Sequence, residues 1–172
     1  RLACALWLLG EGAAAKAHCQ SALTMLQKQG NVHPYGRALV IGTAALFYQL
    51  TGDVTAVQEL AQAAVALAEQ HGFLNFLGMF RQLLGWAWVM QGQGELGYTA
   101  LQQGLASLRT SGAQALLPYF ATLHATAAAH TGRLADGLAA LEQGLTVVNQ
   151  SGEWWMAPTL HRLKGDILLA QD

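Results

Sequence analysis

Glycine recurs along this chain at a nearly fixed interval, and that recurrence limits the possible folds more than any other feature. One series, with spacings of 42, 40 and 40 residues, is Gly30, Gly72, Gly112 and Gly152. A second series, each member 20 residues before its counterpart in the first, is Gly10, Gly52, Gly92 and Gly132. Regular self-similarity of this length is typical of repeat proteins. The two interleaved series predict a repeat of two elements and about 40 residues.

Apolar residues between the glycines follow helical spacing. Leu101, Leu105 and Leu108 are four and three residues apart, which places them on one face of a helix and not in the alternation of a strand. Each glycine follows the last apolar turn, where a left-handed residue ends a helix without steric cost. The sequence therefore predicts nine helices, with breaks near residues 10, 30, 52, 72, 92, 112, 132 and 152.

Small residues occupy fixed columns when the repeats are aligned. In the first helix of each unit the column is Ala3, Ala45, Gly85, Ala125 and Gly165. In the second helix, two such columns include Gly97, Gly137, Gly104 and Gly144. Small residues let helix backbones approach, while larger residues between them fill the neighbouring helix's grooves. We expect one domain, residues 1–172, with units of about 1–30, 31–72, 73–112, 113–152 and a partial unit 153–172.

Composition limits the partners. Only 11% of the residues are charged and 53% are hydrophobic, so the chain has enough apolar surface to fold. The net charge is −1 and no basic cluster occurs, so we expect neither nucleic acid nor a membrane as a partner. Two cysteines, Cys4 and Cys19, form no disulfide framework, which favours the cytoplasm. The chain begins without Met or a secretion signal, and we expect it to be an internal piece of a longer protein.

The columns carry a resemblance to a known family. Gly85, Trp88, Gly97, Leu101 and Gly104 reproduce the small and large positions of the tetratricopeptide repeat (TPR), in a form of about 40 residues instead of about 34. The resemblance implies an all-α solenoid, wound as a right-handed superhelix with first helices inside and second helices outside. It also implies binding as the function of the array.

The C-terminal run is more specific. Residues 152–169 read Gly-Glu-Trp-Trp-Met-Ala-Pro-Thr-Leu-His-Arg-Leu-Lys-Gly-Asp-Ile-Leu-Leu, which resembles the final repeat of large bacterial signalling ATPases. In that family the helical array follows a P-loop ATPase module, and a nucleotide cyclase or DNA-binding domain often precedes both. The resemblance implies a regulatory arm that is not itself an enzyme.

Three features of the sequence could suggest a dinucleotide site, a metal site or a nucleophile, but each has a structural explanation. Gly92-Gln-Gly94-Glu-Leu-Gly97 matches G-x-G-x-x-G, but no strand precedes it and no carboxylate follows about 20 residues later, so we interpret it as a turn between helices. None of the six histidines lies three or four residues from another, the spacing that a metal site on a helix needs. No G-x-S-x-G sequence, the elbow that carries a nucleophilic serine, occurs. We expect no metal, no cofactor and no catalytic residue.

The family correspondence places a concave groove on the first helices. The candidate groove residues are Met79, Gln82, Trp86, Tyr119, Thr122, Thr126, Arg162 and Asp166. This mixture of aromatic and hydrogen-bonding side chains suits a peptide or an amphipathic helix, and a solvated face without a ligand is the equal alternative. The core aromatics are expected to be Phe47, Tyr48, Phe80, Trp88 and Phe120.

The leading hypothesis is a protein-interaction and regulatory module, whose partner is a protein, a peptide or another domain of the parent chain. One alternative is an effector-sensing solenoid of a transcription activator, with a small molecule on its inner face. Another is a scaffold that self-associates, as in a homodimer, through uncapped apolar ends. Because each repeat touches only its neighbours, we expect a long concave surface and no single deep catalytic pocket.

Overall fold

Helices follow one another along almost the whole chain. The computed structural model describes residues 2–111, 116–152 and 154–171. The α-helices in these ranges are α1 (Leu2–Leu8), α2 (Gly12–Lys28), α3 (Pro34–Thr51), α4 (Val54–His71), α5 (Leu74–Met90), α6 (Gly94–Ser111), α7 (Leu117–His130), α8 (Leu134–Ser151) and α9 (Ala157–Leu169). A short 3-10 helix, Trp154–Met156, precedes α9. The predicted all-α repeat of nine helices is confirmed for the described ranges.

Left-handed glycines end most of the helices, as the repeat spacing predicts. The glycines with positive φ, between 69° and 85°, are Gly10, Gly52, Gly72, Gly92, Gly132 and Gly152. Gly30 differs, because α2 ends at Lys28 and Gln29 is already extended, with φ −90° and ψ 100°. The backbone thus leaves the helix before it reaches Gly30, which does not need a positive φ. Gly112 lies outside the described residues.

The small-residue columns lie where helix backbones meet. A methyl group added to Gly85 would lie 2.6 Å from the carbonyl oxygen of Gly97, and one added to Gly97 would lie 2.5 Å from that of Gly85. Gly78 and Gly104 are opposed in the same way two helical turns away, at 3.0 and 2.7 Å. Only glycine allows α5 and α6 to pack this closely. The column ends at Gly165, which is exposed and has nothing near its missing side chain.

The array is curved strongly enough that two units which are not neighbours along the chain touch each other. The hydroxyl of Tyr119 on α7 donates a hydrogen bond of 2.6 Å to Oε1 of Gln49 on α3. These residues belong to the fourth and second predicted units, so the bond passes over the whole third unit. The expectation that each repeat touches only its neighbours is therefore wrong at the inner face.

None of the helices in the described part of the chain is both long enough and apolar enough to cross a membrane.

Candidate functional site

First helices from four units line a cavity of about 450 Å³ on the inner side of the array. We call it the inner cavity. It is lined by Cys4, Leu8, Leu39, Gly42, Thr43, Leu46, Leu50, Phe76, Met79, Phe80, Leu83, Leu108, Leu116, Tyr119, Phe120 and Trp155. The curvature of the array brings α1, α3, α5 and α7 around this space, which is partly open to solvent.

The few polar groups in the inner cavity are already hydrogen-bonded. The hydroxyl of Thr43 donates to the carbonyl oxygen of Leu39 at 2.7 Å, and that of Tyr119 donates to Gln49. Burial raises the pKa of the Cys4 thiol and holds the pKa of Tyr119 well above 10, so both groups are neutral at physiological pH. The cavity therefore presents an uncharged apolar surface to any occupant.

Large apolar side chains stand at the edge of this cavity. Leu8 is 59% exposed and Trp155 is 46% exposed, although both line the cavity. Trp155 reaches it because the 3-10 helix turns the chain before α9, with Pro158 in the first turn of that helix. Exposed apolar residues beside an apolar cavity form a continuous surface of the kind that marks an interaction site.

The eight candidate groove residues do not share one open surface. Four are buried, and these are Gln82, Trp86, Tyr119 and Thr122. Met79 is half-buried and lines the inner cavity. Thr126 is half-buried, and its hydroxyl donates to the carbonyl oxygen of Thr122 at 2.8 Å. The inner face of a curved array is packed against itself, which buries side chains that an open groove would expose.

The remaining two candidates lie apart from the cavity. Arg162 and Asp166 are exposed on α9 and form an ion pair of 2.8 Å with each other. Neither lines the inner cavity. The structure therefore brings Met79 and Tyr119 together at one site and leaves Arg162 and Asp166 on another. A role in binding for any of the eight stays a prediction.

The five aromatic residues expected in the core all pack there. Phe47, Phe80 and Phe120 are at most 2% exposed, and Tyr48 and Trp88 are half-buried against the core. Trp86, which was expected in the groove, is 6% exposed and belongs to the same core cluster.

Sequence reasoning missed the contribution of α3 to the site. Leu39, Thr43, Leu46 and Leu50 are spaced by four, three and four residues and all line the cavity. That helical stripe was visible in the sequence beside the small column at Ala45. This stripe was the signal for the apolar wall of the site, whereas the prediction relied on the polar and aromatic residues of the other first helices.

Two further predictions concern the G-x-G-x-x-G match and metal binding. Gly92, with φ 84°, lies in the turn between α5 and α6. The G-x-G-x-x-G match therefore begins in a turn between two helices, as predicted, and its last four residues form the start of α6. Within the described ranges, no group of three or more His, Cys, Asp or Glu residues is placed to hold a metal ion.

Comparison with known proteins supports the fold and leaves the family open. No protein-family model matches the chain. An uncharacterized protein of Rhizobium meliloti (strain 1021) is 24% identical over 164 residues, which are 95% of this chain and 16% of that protein. The chain thus spans about a sixth of the length of that curated relative.

A crystal structure of nearly identical TPR-like repeats of the kinesin light chain type, from Podospora anserina, aligns with a TM-score of 0.63 and 17% identity. The alignment covers 99% of this chain and 93% of that one. At this identity the likeness concerns the fold alone. The fold of this chain is therefore a TPR-like helical repeat.

Proposed function

We propose that this chain is a protein-interaction module that binds its partner at the inner cavity and catalyses no reaction itself. The observation that carries the proposal is an apolar cavity of about 450 Å³ edged by exposed Leu8 and Trp155. TPR-like repeats generally mediate contacts between proteins. The lining carries no charged residue, and burial raises the pKa of the free Cys4 thiol, which keeps it protonated.

The chemistry of the lining favours an amphipathic helix as the bound segment. Such a helix places apolar side chains at three- and four-residue spacing in a hydrophobic groove and keeps its charged face in water. The stripe from Leu39 to Leu50 and the side chain of Met79 supply apolar walls for those anchors. Methionine also adapts its shape to different occupants.

We further propose that the parent protein is a large cytoplasmic bacterial signalling ATPase, for which this chain is the regulatory arm. The resemblance of residues 152–169 supports this, and so does a bacterial relative about six times longer than this chain. The bound segment would then come from another protein or from another domain of the parent. A G-x-x-x-x-G-K-[ST] sequence in the coding region upstream is the expected sign of the ATPase.

Site-specific photo-crosslinking tests the location of binding. A benzophenone amino acid is placed at Met79, which lines the cavity, and at Glu59, which is exposed on α4. In cells that express the full-length protein, mass spectrometry of the crosslinked peptides is expected to identify one amphipathic segment at position 79 only. Equal crosslinking at both positions would contradict the proposal.

A small molecule is a second candidate for the inner cavity, because a volume of about 450 Å³ lies within the range of ligand sites, about 300–1,000 Å³. A sensor of this kind would be stabilised by its effector without any protein present. A rise in the melting temperature on addition of a low-molecular-weight cell extract would favour this candidate.

Self-association is a third candidate, favoured by exposed apolar residues at both ends of the described chain. Leu9 is 76% exposed and Leu169 is 78% exposed. Analytical ultracentrifugation at increasing protein concentration measures self-association. If the chains pair through α9, the molar mass should rise with concentration for wild type and not for Leu169→Glu.

A further inference from the structure

Gly42 lies in the middle of α3, and the repeat does not require a glycine at this position. It stands three residues before Ala45 of the small column. The corresponding residues of the later units are Gln82, Thr122 and Arg162. Because glycine inside a helix lowers stability relative to residues with a side chain, its presence at position 42 needs a separate explanation.

The space left by the missing side chain of Gly42 is filled by the ring of Phe80 from α5. A methyl group added to Gly42 would lie 2.6 Å from Cζ of this ring and closer still to Cε1. Gly85 and Gly97, by contrast, face each other's backbone. Gly42 therefore makes room for one side chain, whereas the glycines of α5 and α6 bring two helix backbones together.

Gly42 and Phe80 both line the inner cavity. Phe80 is 2% exposed, and its ring stacks on Phe76 with centroids 5.6 Å apart and an angle of 23° between the planes. Packed against Gly42 and Phe76, the ring forms part of the floor and leaves the cavity open. A side chain at position 42 would push the ring away from α3, and the open space beside it is the inner cavity.

An occupant of the inner cavity would touch the more accessible side chains of the lining. Met79 is half-buried, and Leu8 and Trp155 stand exposed at the edge. These side chains are uncharged, so the affinity of an occupant should grow with the apolar area that it buries until the space is filled. The position of the floor thus decides how large an apolar group the cavity accepts.

We propose that Gly42 determines the specificity of the inner cavity for large apolar anchors. Without a side chain at position 42, Phe80 lies against α3, and the cavity is deep enough for a leucine, methionine or aromatic side chain of the bound segment. A larger residue at position 42 restricts the cavity to small anchors. This inference rests on the proposed function, since the anchors belong to the segment that binds at the inner cavity.

Alkanols of increasing length measure the depth of the cavity without any protein partner. The 172-residue chain is titrated with each alcohol from 1-butanol to 1-octanol, and the methyl resonance of Met79 is followed. Met25, which is 55% exposed on α2, is the internal control. The hydroxyl stays in water at the edge, so the affinity should rise about fourfold for each further CH₂ that is buried. The rise should end when the cavity is filled, and it should end at a shorter alcohol in Gly42→Ala than in the wild type.

Two further variants assign this limit to the contact between Gly42 and Phe80. Phe80→Leu removes the ring, so it should move the limit to longer alcohols, both alone and combined with Gly42→Ala. Because Phe80→Leu adds no atoms, it also gives the test if Gly42→Ala does not fold. The matched control is Gly36→Ala on the same helix, whose added methyl group would lie at an ordinary distance of 3.6 Å from Cγ1 of Val32. Its limit should equal that of the wild type. A purely structural role of Gly42 would change the melting temperature and leave the limiting length unchanged.

Two results would overturn this inference. One is the same limiting length in the wild type, Gly42→Ala and Phe80→Leu. The other is the absence of any alkanol effect on the Met79 resonance. Crosslinking at position 79 tests the proposed function separately. A captured segment together with an unchanged limit would contradict the role of Gly42 alone, whereas the predicted limits without a captured segment would contradict the proposed function.

Discussion

The hydroxyl of Tyr119 and Oε1 of Gln49 lie 2.6 Å apart, although 70 residues separate them in the chain. Tyr119 also lines the inner cavity, so this hydrogen bond and the cavity are products of the same curvature. It joins α7 to α3, so the contact reaches beyond neighbouring units.

Tyr119→Phe should therefore lower the free energy of unfolding by about 1 kcal/mol, since the half-buried acceptor Gln49 loses its donor. Urea unfolding measures the change. When Gln49 is already replaced by Met, Tyr119→Phe should lower the free energy of unfolding by clearly less, because the hydrogen-bond acceptor is absent in both proteins. Additive effects of the two substitutions would show that the bond does not contribute to stability.

The glycine contact between α5 and α6 can be tested by adding one methyl group. Gly97→Ala places a Cβ 2.5 Å from the carbonyl oxygen of Gly85, and overpacking of this kind costs about 1–3 kcal/mol or more when backbone must move. Gly165→Ala adds the same group to a helix with open space around it. That control should gain up to about 1 kcal/mol from helix propensity. If both variants melt alike, the close approach is wrong.

Gln82 is fully buried on α5, and neither polar atom of its side-chain amide has a partner. Gln82→Met keeps a similar shape and removes the unsatisfied amide, so it should raise the free energy of unfolding by about 1 kcal/mol or more. The matched control is Gln102→Met, an exposed residue of α6, which should change stability by less than about 0.5 kcal/mol. A less stable Gln82→Met variant would mean that the amide is hydrogen-bonded in solution.

His124 should make the fold sensitive to mild acid. Its pKa falls to about 4 in the folded chain and returns to about 6.5 on unfolding. Between these values the unfolded chain binds a proton that the folded chain does not, so stability is full above pH 6.5 and declines as the pH falls toward 4. The expected loss from this residue is about 3 kcal/mol.

Urea unfolding at pH 7 and pH 4.5 measures that loss. His124→Gln should flatten the pH dependence, while His130→Gln, at an exposed position, should leave it as in the wild type. Arg109 and Tyr98 of α6 also face the ring, and neither changes charge in this range. Equal pH profiles for wild type and His124→Gln would contradict the assignment.

Most of the fold could be predicted from the sequence because its determinants are local. A helix end at Gly52 or Gly132 depends on one residue's freedom to adopt positive φ, and the packing column at Gly85 repeats with the period. Gly30 is the exception to this prediction. It has the same spacing as the other glycines but does not adopt a positive φ, because Gln29 is already extended at the end of α2.

The site was less predictable, since it depends on how strongly successive repeats curve. A small rotation per repeat accumulates along a solenoid, and no single spacing encodes it. That rotation decides whether Trp86 is exposed in a groove or buried. It also decides whether α1 and Trp155 line the same cavity. The TPR correspondence placed Met79 and Tyr119 among the groove residues, and both line the inner cavity, but it could not show how closely the helices approach around that cavity.

The most direct test of binding at the inner cavity places the same carboxylate at two positions of α5. Met79 lines the cavity, whereas Leu74 is 69% exposed outside it. The segment captured by crosslinking at position 79 is synthesised, and its affinity is measured by fluorescence anisotropy for wild type, Met79→Glu and Leu74→Glu. Burying an unpaired charge in the interface should weaken binding to Met79→Glu by about tenfold or more, with Leu74→Glu close to wild type. Equal affinities for the three proteins would contradict binding at this cavity.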